Sequence, residues 1–214
     1  MLQFETTDKR KPATSQIPET STAQQKQKLA VLFPGTGYGC DRPLLYYARR
    51  AAEQEGCDVL PLTYTVSLER NPAKMTENVQ QALPPVLHTV SAAVGTVLCR
   101  GRYTQIFFFS KSFGTIVAGE LAQKLPKQDI RQFFLTPLEP TLPYMQKHSC
   151  FAASGTADPW VPQQVREKIL SLPGVRMSLF PGANHSLEVP GNVAASVRNL
   201  QMLIDSYVAF LCEK

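Results

Sequence analysis

From Leu29 onward, short apolar runs alternate with longer segments of helical spacing, and this alternation constrains the fold most. The apolar runs occupy residues 29–33, 58–64, 105–109, 132–135, 150–153 and 176–180. The helical segments occupy residues 42–54, 77–98, 113–125, 162–172 and 193–211. Several runs are apolar at consecutive positions, which is typical of strands covered on both faces. We therefore predict an α/β fold, a mostly parallel sheet of about six or seven strands flanked by helices on both faces.

The length and composition favour one globular domain. The chain has 214 residues, of which 43% are hydrophobic and 18% charged, and a domain typically has about 150 residues. Residues 1–28 are rich in Gln, Thr, Ser, Lys and Pro and show no apolar period. We expect a flexible or edge arm over residues 1–28 and a single domain over residues 29–214.

Charge and cysteine content argue against several function classes. The net charge is +5, and the basic residues are scattered, whereas nucleic-acid-binding proteins concentrate them on one face. No apolar run reaches the length of a membrane span and the first residues are polar, so we expect neither membrane association nor secretion. The five cysteines show no C-x-x-C spacing, which predicts free thiols in the cytoplasm and no metal or cofactor.

Three residues at predicted strand ends carry the chemistry. Ser112 follows the third apolar run in S-K-S-F-G and precedes a helical segment, Asp158 follows the fifth run in G-T-A-D, and His185 follows the sixth in P-G-A-N-H. The carboxyl ends of parallel strands meet at one edge of a sheet, so these side chains can converge there. The other histidines lack such a position, because His88 lies in a predicted helix and His148 precedes a strand.

The strand–turn–helix setting of Ser112 and the order Ser, Asp, His resemble the α/β-hydrolase family. The resemblance covers about Leu29 to Leu211 and is to a small esterase-type member without a cap domain. It implies that Ser112 is the nucleophile on a strained turn, His185 the base and Asp158 the acid that orients His185. The sequence departs from the family pattern at Ser110, where the family has its first glycine.

The resemblance also implies an oxyanion hole. One amide is that of Phe113, and the other comes from the glycine-rich loop after the first strand. The candidates in this loop are Gly35, Thr36, Gly37 and Tyr38, of which we favour Thr36. A nucleotide-binding reading of the loop is disfavoured, because it lacks both the Gly-Lys-Ser/Thr ending of a P-loop and the G-x-G-x-x-G spacing.

Simpler structural roles compete with each assignment. Ser112 could be an ordinary helix N-cap, Asp158 could cap a helix or form an Asx-turn, and His185 could be a solvent-facing loop residue. Glu139, after the preceding strand, is a competing acid, since some family members place the acid there. Lys111 beside Ser112 would favour an anionic substrate, although a solvated lysine is the favoured reading.

The short interval between residues 136 and 149 has room for a loop or a short helix but not for a cap domain. We therefore expect a shallow, open site that needs no cofactor and no metal. Candidates for an apolar acyl wall, for which ordinary packing is an equal alternative, are Leu138, Leu142, Tyr144, Met145 and Trp160.

The sequence thus predicts a serine hydrolase that cleaves a small-molecule carboxylic ester or thioester through a Ser-His-Asp triad and an acyl-enzyme. An amide substrate and the oligomeric state stay open. The alternative is a non-catalytic binding or interaction protein on the same scaffold.

Overall fold

The apolar runs form six strands of one parallel sheet. The computed structural model describes residues 28–66, 71, 74–126, 128–147 and 149–213. Its strands are β1 (Lys28–Phe33), β2 (Asp58–Pro61), β3 (Gln105–Lys111), β4 (Ile130–Leu135), β5 (Cys150–Gly155) and β6 (Val175–Phe180). Their order across the sheet is β2-β1-β3-β4-β5-β6, and every neighbouring pair is parallel. The predicted fold class is confirmed. The predicted arm lies outside the described residues except for Lys28, so its behaviour stays a prediction.

Helices cover both faces of the sheet. They are α1 (Pro43–Gln54), α2 (Met75–Arg100), α3 (Phe113–Lys124), α4 (Leu142–Met145), α5 (Gln163–Leu170) and α6 (Val193–Cys212). Side chains of α1 and α6 share one core cluster, and those of α2 and α3 share another on the opposite face. A third, smaller cluster joins α4 and α5 to β4 and β5.

The phenylalanine run of β3 shows why consecutive apolar residues are needed here. Phe107 and Phe109 point towards α6, where their rings meet Phe210 edge-on at centroid distances of 5.5 and 5.3 Å. Phe108 points to the other face and belongs to the cluster that α2 and α3 complete. Successive strand side chains alternate between faces, so a central strand with helices on both sides must be apolar at every position.

The chain reverses its direction of travel across the sheet between β1 and β3. β2 lies on one side of β1 and β3 on the other, so the connections through α1 and α2 diverge to opposite faces. Such a switch point opens a crevice at the carboxyl ends of the two strands. The loop after β1 and the turn after β3 meet there, because Phe33 pairs with Ser110 at the end of the ladder.

Helix α2 is longer than the helical segment predicted from the sequence. Its length and apolar composition would by themselves suffice to cross a membrane, although no unbroken apolar run signals this in the sequence. Val86, Val90 and Val94 bury one face against the core.

Helix α6 begins outside the core. Asn192 caps it, its side chain accepting a hydrogen bond from the amide of Ala195 at 3.0 Å. Val193 and Val197, the apolar residues at the start of its first two turns, are exposed. These two residues border a surface groove beside Pro43 instead of packing on the sheet.

The connection from β4 to β5 is short, as the sequence predicted. Within its described residues it holds only a 3₁₀ helix (Glu139–Thr141) and the one-turn helix α4. No cap domain is formed there, so the carboxyl edge of the sheet is left without a lid from this connection.

Candidate active site

Ser112 occupies a strained turn between β3 and α3. Its φ of 54° and ψ of −121° lie outside the regions that non-glycine residues normally adopt. Close packing on both sides explains the small neighbours: a Cβ on Gly114 would lie 2.4 Å from the Phe33 carbonyl oxygen, and one on Gly35 3.1 Å from the Ser112 Cβ. The Ser112 amide is held by the Leu135 carbonyl at 3.0 Å.

Ser110 stands where the family pattern has glycine. Its hydroxyl donates to the Phe133 carbonyl of the neighbouring strand at 3.4 Å, and the residue is fully buried. A small side chain that finds an acceptor within the sheet satisfies this position, so the departure leaves the turn intact.

A continuous hydrogen-bonded chain joins the three predicted residues. His185 Nε2 lies 2.9 Å from the Ser112 hydroxyl, and His185 Nδ1 lies 2.7 Å from Asp158 Oδ2. The other oxygen, Asp158 Oδ1, accepts the amide of Trp160 at 2.9 Å. Asp158 therefore contacts His185 and also forms the Asx-turn that was its alternative structural role.

The loop after β6 is shaped to present His185. Gly155 allows its close approach to β5, since a Cβ there would lie 2.0 Å from the Ala183 carbonyl oxygen. Asn184 Oδ1 accepts the amides of Ser186 at 2.8 Å and Glu188 at 3.2 Å, which folds the loop back on itself. Asn184 belongs to none of the predicted site residues, although Asn in a Gly-rich segment is a recognisable Asx-turn signal.

The competing acid is not brought to His185. Glu139 lies in the 3₁₀ helix with 57% of its side chain exposed, and it pairs with Lys168 at 2.7 Å. Among the other histidines, His88 is exposed on α2, and His148 lies outside the described residues.

The surroundings of His185 favour its neutral form. Burial lowers the pKa of the imidazole, the Lys111 ammonium lowers it further, and the hydrogen bond and charge of Asp158 oppose both effects. The net pKa lies below the usual histidine value of 6.5. A neutral imidazole that can accept a proton is therefore the main form at neutral pH.

Lys111 is buried, which overturns the expectation of a solvated lysine. Only 1% of the residue is exposed, and its side chain lies against the glycine-rich loop, with the ammonium 5.1 Å from the centroid of the Tyr38 ring. Desolvation lowers the pKa of its ammonium from 10.5 to about 7, and the charge of Asp158 partly opposes this shift.

The glycine-rich loop after β1 leaves two candidate oxyanion amides. Gly35 and Tyr38 bond each other, with N···O distances of 3.0 and 3.2 Å, so their amides are engaged. Thr36 and Gly37 form the centre of this turn, where Gly37 has a φ of 66°. In the described part of the chain, neither the Thr36 amide nor the Gly37 amide donates to a protein acceptor. The four candidate oxyanion amides are therefore reduced to these two, and Thr36 is one of them.

A side chain from the loop that follows β2 anchors the glycine-rich turn after β1. The Tyr64 hydroxyl donates to the Pro34 carbonyl at 2.7 Å. Between the two loops lies a cleft of about 540 Å³, lined by residues 34–35, 37–41 and 62–66. The cleft borders the crevice of the switch point and is open to solvent.

The candidate acyl wall is only partly at the surface. Leu138 and Met145 are buried in the core, so the structure does not support them as wall residues. Leu142, Tyr144 and Trp160 are partly buried. Trp160 is connected to the site by the hydrogen bond that its backbone N–H donates to Asp158 Oδ1. No group of three or more His, Cys, Asp or Glu residues that could hold a metal occurs in the described part of the chain.

Comparisons with solved structures identify the fold. At the level of sequence, the chain matches no protein-family model and no curated protein significantly. An α/β serine hydrolase homologue from Coxiella burnetii superimposes with a TM-score of 0.60 at 13% identity over 86% of each chain. Est1E from Butyrivibrio proteoclasticus, in a structure with bound ferulic acid, gives a TM-score of 0.64 at 11% identity over 87% of this chain and 88% of that one.

A third similar structure shares the open architecture. It is an α/β serine hydrolase without a lid from Xanthomonas campestris, with a TM-score of 0.54 at 19% identity over 91% of this chain and 84% of that one. The described part of the present chain thus adopts the α/β-hydrolase fold, and its residues form no cap domain.

Proposed function

We propose that the protein is a serine hydrolase that cleaves small carboxylic esters or thioesters through an acyl-enzyme. The observation that carries the proposal is the hydrogen-bonded chain from Asp158 through His185 to Ser112. The strained turn holds the Ser112 hydroxyl at the head of α3, where helix amides favour a developing negative charge.

In the proposed acylation step, the Ser112 hydroxyl attacks the ester carbonyl while His185 Nε2 takes its proton. The tetrahedral intermediate then collapses, the bond to the leaving group breaks, and His185 returns the proton to the leaving alcohol or thiol. Water attacks the acyl-enzyme with the same assistance and releases the acid. Asp158 accepts the Nδ1–H of His185, which fixes the tautomer and stabilises the imidazolium.

The oxyanion would be held by backbone amides. The Phe113 amide opens α3 directly after the nucleophile, and the Thr36 amide comes from the facing turn. Preorganised donors of this kind each contribute about 10²–10³-fold to the rate of acyl transfer. The loop and the helix are closely packed against each other at Gly35 and Gly114, where a Cβ would meet neighbouring atoms.

The similar structures favour this reaction class. They include a serine hydrolase homologue and Est1E with ferulic acid bound. The substrate would be small, because the β4–β5 connection builds no lid and a shallow site buries few methylenes. The expected cytoplasmic location and the absence of nucleic-acid and membrane partners stay predictions.

The test is covalent labelling with a fluorophosphonate, which reacts only with an activated serine. We expect labelling of the parent protein at Ser112, confirmed by peptide mass mapping, and no labelling of Ser112→Ala. Ser206→Ala is the matched control, because this serine is partly exposed on α6 and its hydroxyl donates to the Met202 carbonyl. An unlabelled parent protein that is folded and hydrolyses no ester in a broad panel would support the non-catalytic alternative.

A further inference from the structure

The proposed reaction does not use Lys111, the residue directly before the nucleophile. Its side chain runs beneath the glycine-rich loop, where a Cβ on Gly35 would lie 3.4 Å from the Lys111 Cγ. Lysine is almost never fully buried unless its charge is paired. A lysine with 1% exposure at the centre of a candidate active site therefore needs an explanation.

Among the described residues, none serves as a dedicated counter-ion for the Lys111 ammonium. In the described part of the chain, no carboxylate oxygen lies within ion-pair distance of Lys111 Nζ, which lies over the Tyr38 ring at 5.1 Å from its centroid. The carboxylate that acts on it is Asp158, but both oxygens of Asp158 are already engaged by His185 and by the Trp160 amide. The positive charge of the Lys111 ammonium is thus held near the triad without a carboxylate paired to it.

The titratable groups that face Lys111 come from three loops. Tyr38 lies on the loop after β1, Asp158 on the loop after β5 and His185 on the loop after β6. Burial raises the pKa of Tyr38 to about 12, so this phenol stays neutral. Farther out, Asp41, Arg42 and Glu188 act on Tyr38. The groups that can change charge near neutral pH are therefore Lys111 and His185 themselves.

We propose that Lys111 is a positioning residue that works as a charge switch behind the triad. While protonated, its ammonium opposes the positive charge that His185 gains on taking the Ser112 proton; when Lys111 releases its proton to solvent, this opposition ends. The inference rests on the proposed function, since the imidazolium forms only during catalysis.

The switch predicts how activity depends on pH. Activity rises first as His185 becomes neutral and rises a second time near neutral pH as Lys111 loses its proton. Without a charge at position 111, activity rises in a single step. The midpoint of this step lies at a higher pH, because no ammonium then opposes the positive charge of the His185 imidazolium. A lysine that instead bound an anionic substrate would give the opposite result, because deprotonation would then weaken binding.

The experiment measures kcat/KM from pH 5 to 9 with a neutral and an anionic ester. The titration of the His185 imidazole is followed by NMR in the same buffers. The variants are Lys111→Met, with Lys111→Gln as a second neutral variant, and Lys124→Met as the control on the exposed end of α3. We expect Lys111→Met to exceed the parent roughly three- to tenfold at pH 6 and to match it above pH 8. The His185 titration should move up by about one pH unit, and the control should behave like the parent.

The NMR titration separates this inference from the proposed function, because it requires no turnover. In the parent protein, the His185 resonance should show a second inflection near neutral pH when Lys111 titrates, so the proposal can be tested even if neither variant folds. An unchanged His185 titration in Lys111→Met would overturn the charge switch. So would an unchanged pH profile combined with a raised KM for the anionic ester alone.

Discussion

Replacing Lys111 by Met should stabilise the protein, and by an amount that depends strongly on pH. Met keeps the length and apolar contacts of the stem but removes the buried charge. The pKa of Lys111 falls from 10.5 to about 7 on folding, which at 1.36 kcal/mol per unit corresponds to about 5 kcal/mol of unfavourable free energy at low pH. Loss of the contact with the Tyr38 ring offsets about 1 kcal/mol of the gain.

The direction in which this stability difference changes with pH follows from the number of protons that the folded and the unfolded chain bind. Below pH 7 the folded and unfolded chains both carry the Lys111 proton, so the folded state bears the full cost of the buried charge. Between about pH 7 and 10.5 only the unfolded chain binds the proton, and the stability of the parent protein rises with pH relative to the variant. At pH 10 the cost has fallen to about 1 kcal/mol, and above pH 10.5 it vanishes.

The assay is urea unfolding of the parent protein, Lys111→Met and Lys124→Met at pH 6, 8 and 10. We expect Lys111→Met to be more stable than the parent by about 4 kcal/mol at pH 6, with the difference shrinking steadily towards pH 10. Lys124→Met should show no such trend, because this side chain is exposed. A parent protein more stable than Lys111→Met at pH 6 would refute the reasoning, since the ammonium would then have a strong partner.

Three further predictions concern the site. Asp158→Asn should lower kcat by about 10³–10⁴-fold, because Asn favours the wrong His185 tautomer. Glu139→Gln should change kcat less than twofold, because Glu139 is exposed and paired with Lys168. Steady-state kinetics of both variants test this, and a larger loss in Glu139→Gln would exclude Asp158 as the acid. Gly155→Ala should destabilise the fold by about 1–3 kcal/mol or more, since its Cβ would meet the Ala183 carbonyl at 2.0 Å; an unchanged melting temperature would contradict the tight packing of the His185 loop. Hydrolysis of p-nitrophenyl esters should be fastest for acyl chains of about two to six carbons, because a longer chain finds no further apolar surface. A long-chain preference that disappears on removal of residues 1–27 would assign the lid to that segment, and one that persists would show that the site is not shallow.

Much of the fold could be predicted from the sequence, because its signals are local. A strand covered on both faces must be apolar at every position, and the β3 segment around Phe108 shows this directly. A helix must bury one stripe, which placed α1, α3 and α5 within two residues of their observed ends. The chain order of Ser112, Asp158 and His185 was also readable, since each residue follows a strand and parallel strands end at one edge.

Other properties depend on residues that are distant in the sequence and adjacent only in the fold. Lysine next to a loop gives no sign that Tyr38, Asp158 and His185 will close over it, so its burial and lowered pKa could not be predicted. The helical segment predicted over residues 193–211 likewise does not reveal that Val193 is exposed.

The sequence by itself determined which residues could perform chemistry and in which order they follow the strands, because backbone propensity and apolar period act over a few residues. Only the tertiary structure decided which acid reaches the imidazole, which loop amides remain unengaged and whether a charge is desolvated. Distances between side chains and the exclusion of water arise when segments from β1, β3, β5 and β6 pack together. Asp158 and Glu139 are the same kind of group in the sequence, and the packing of the loop after β5 against the His185 loop is what makes one of them a partner of His185.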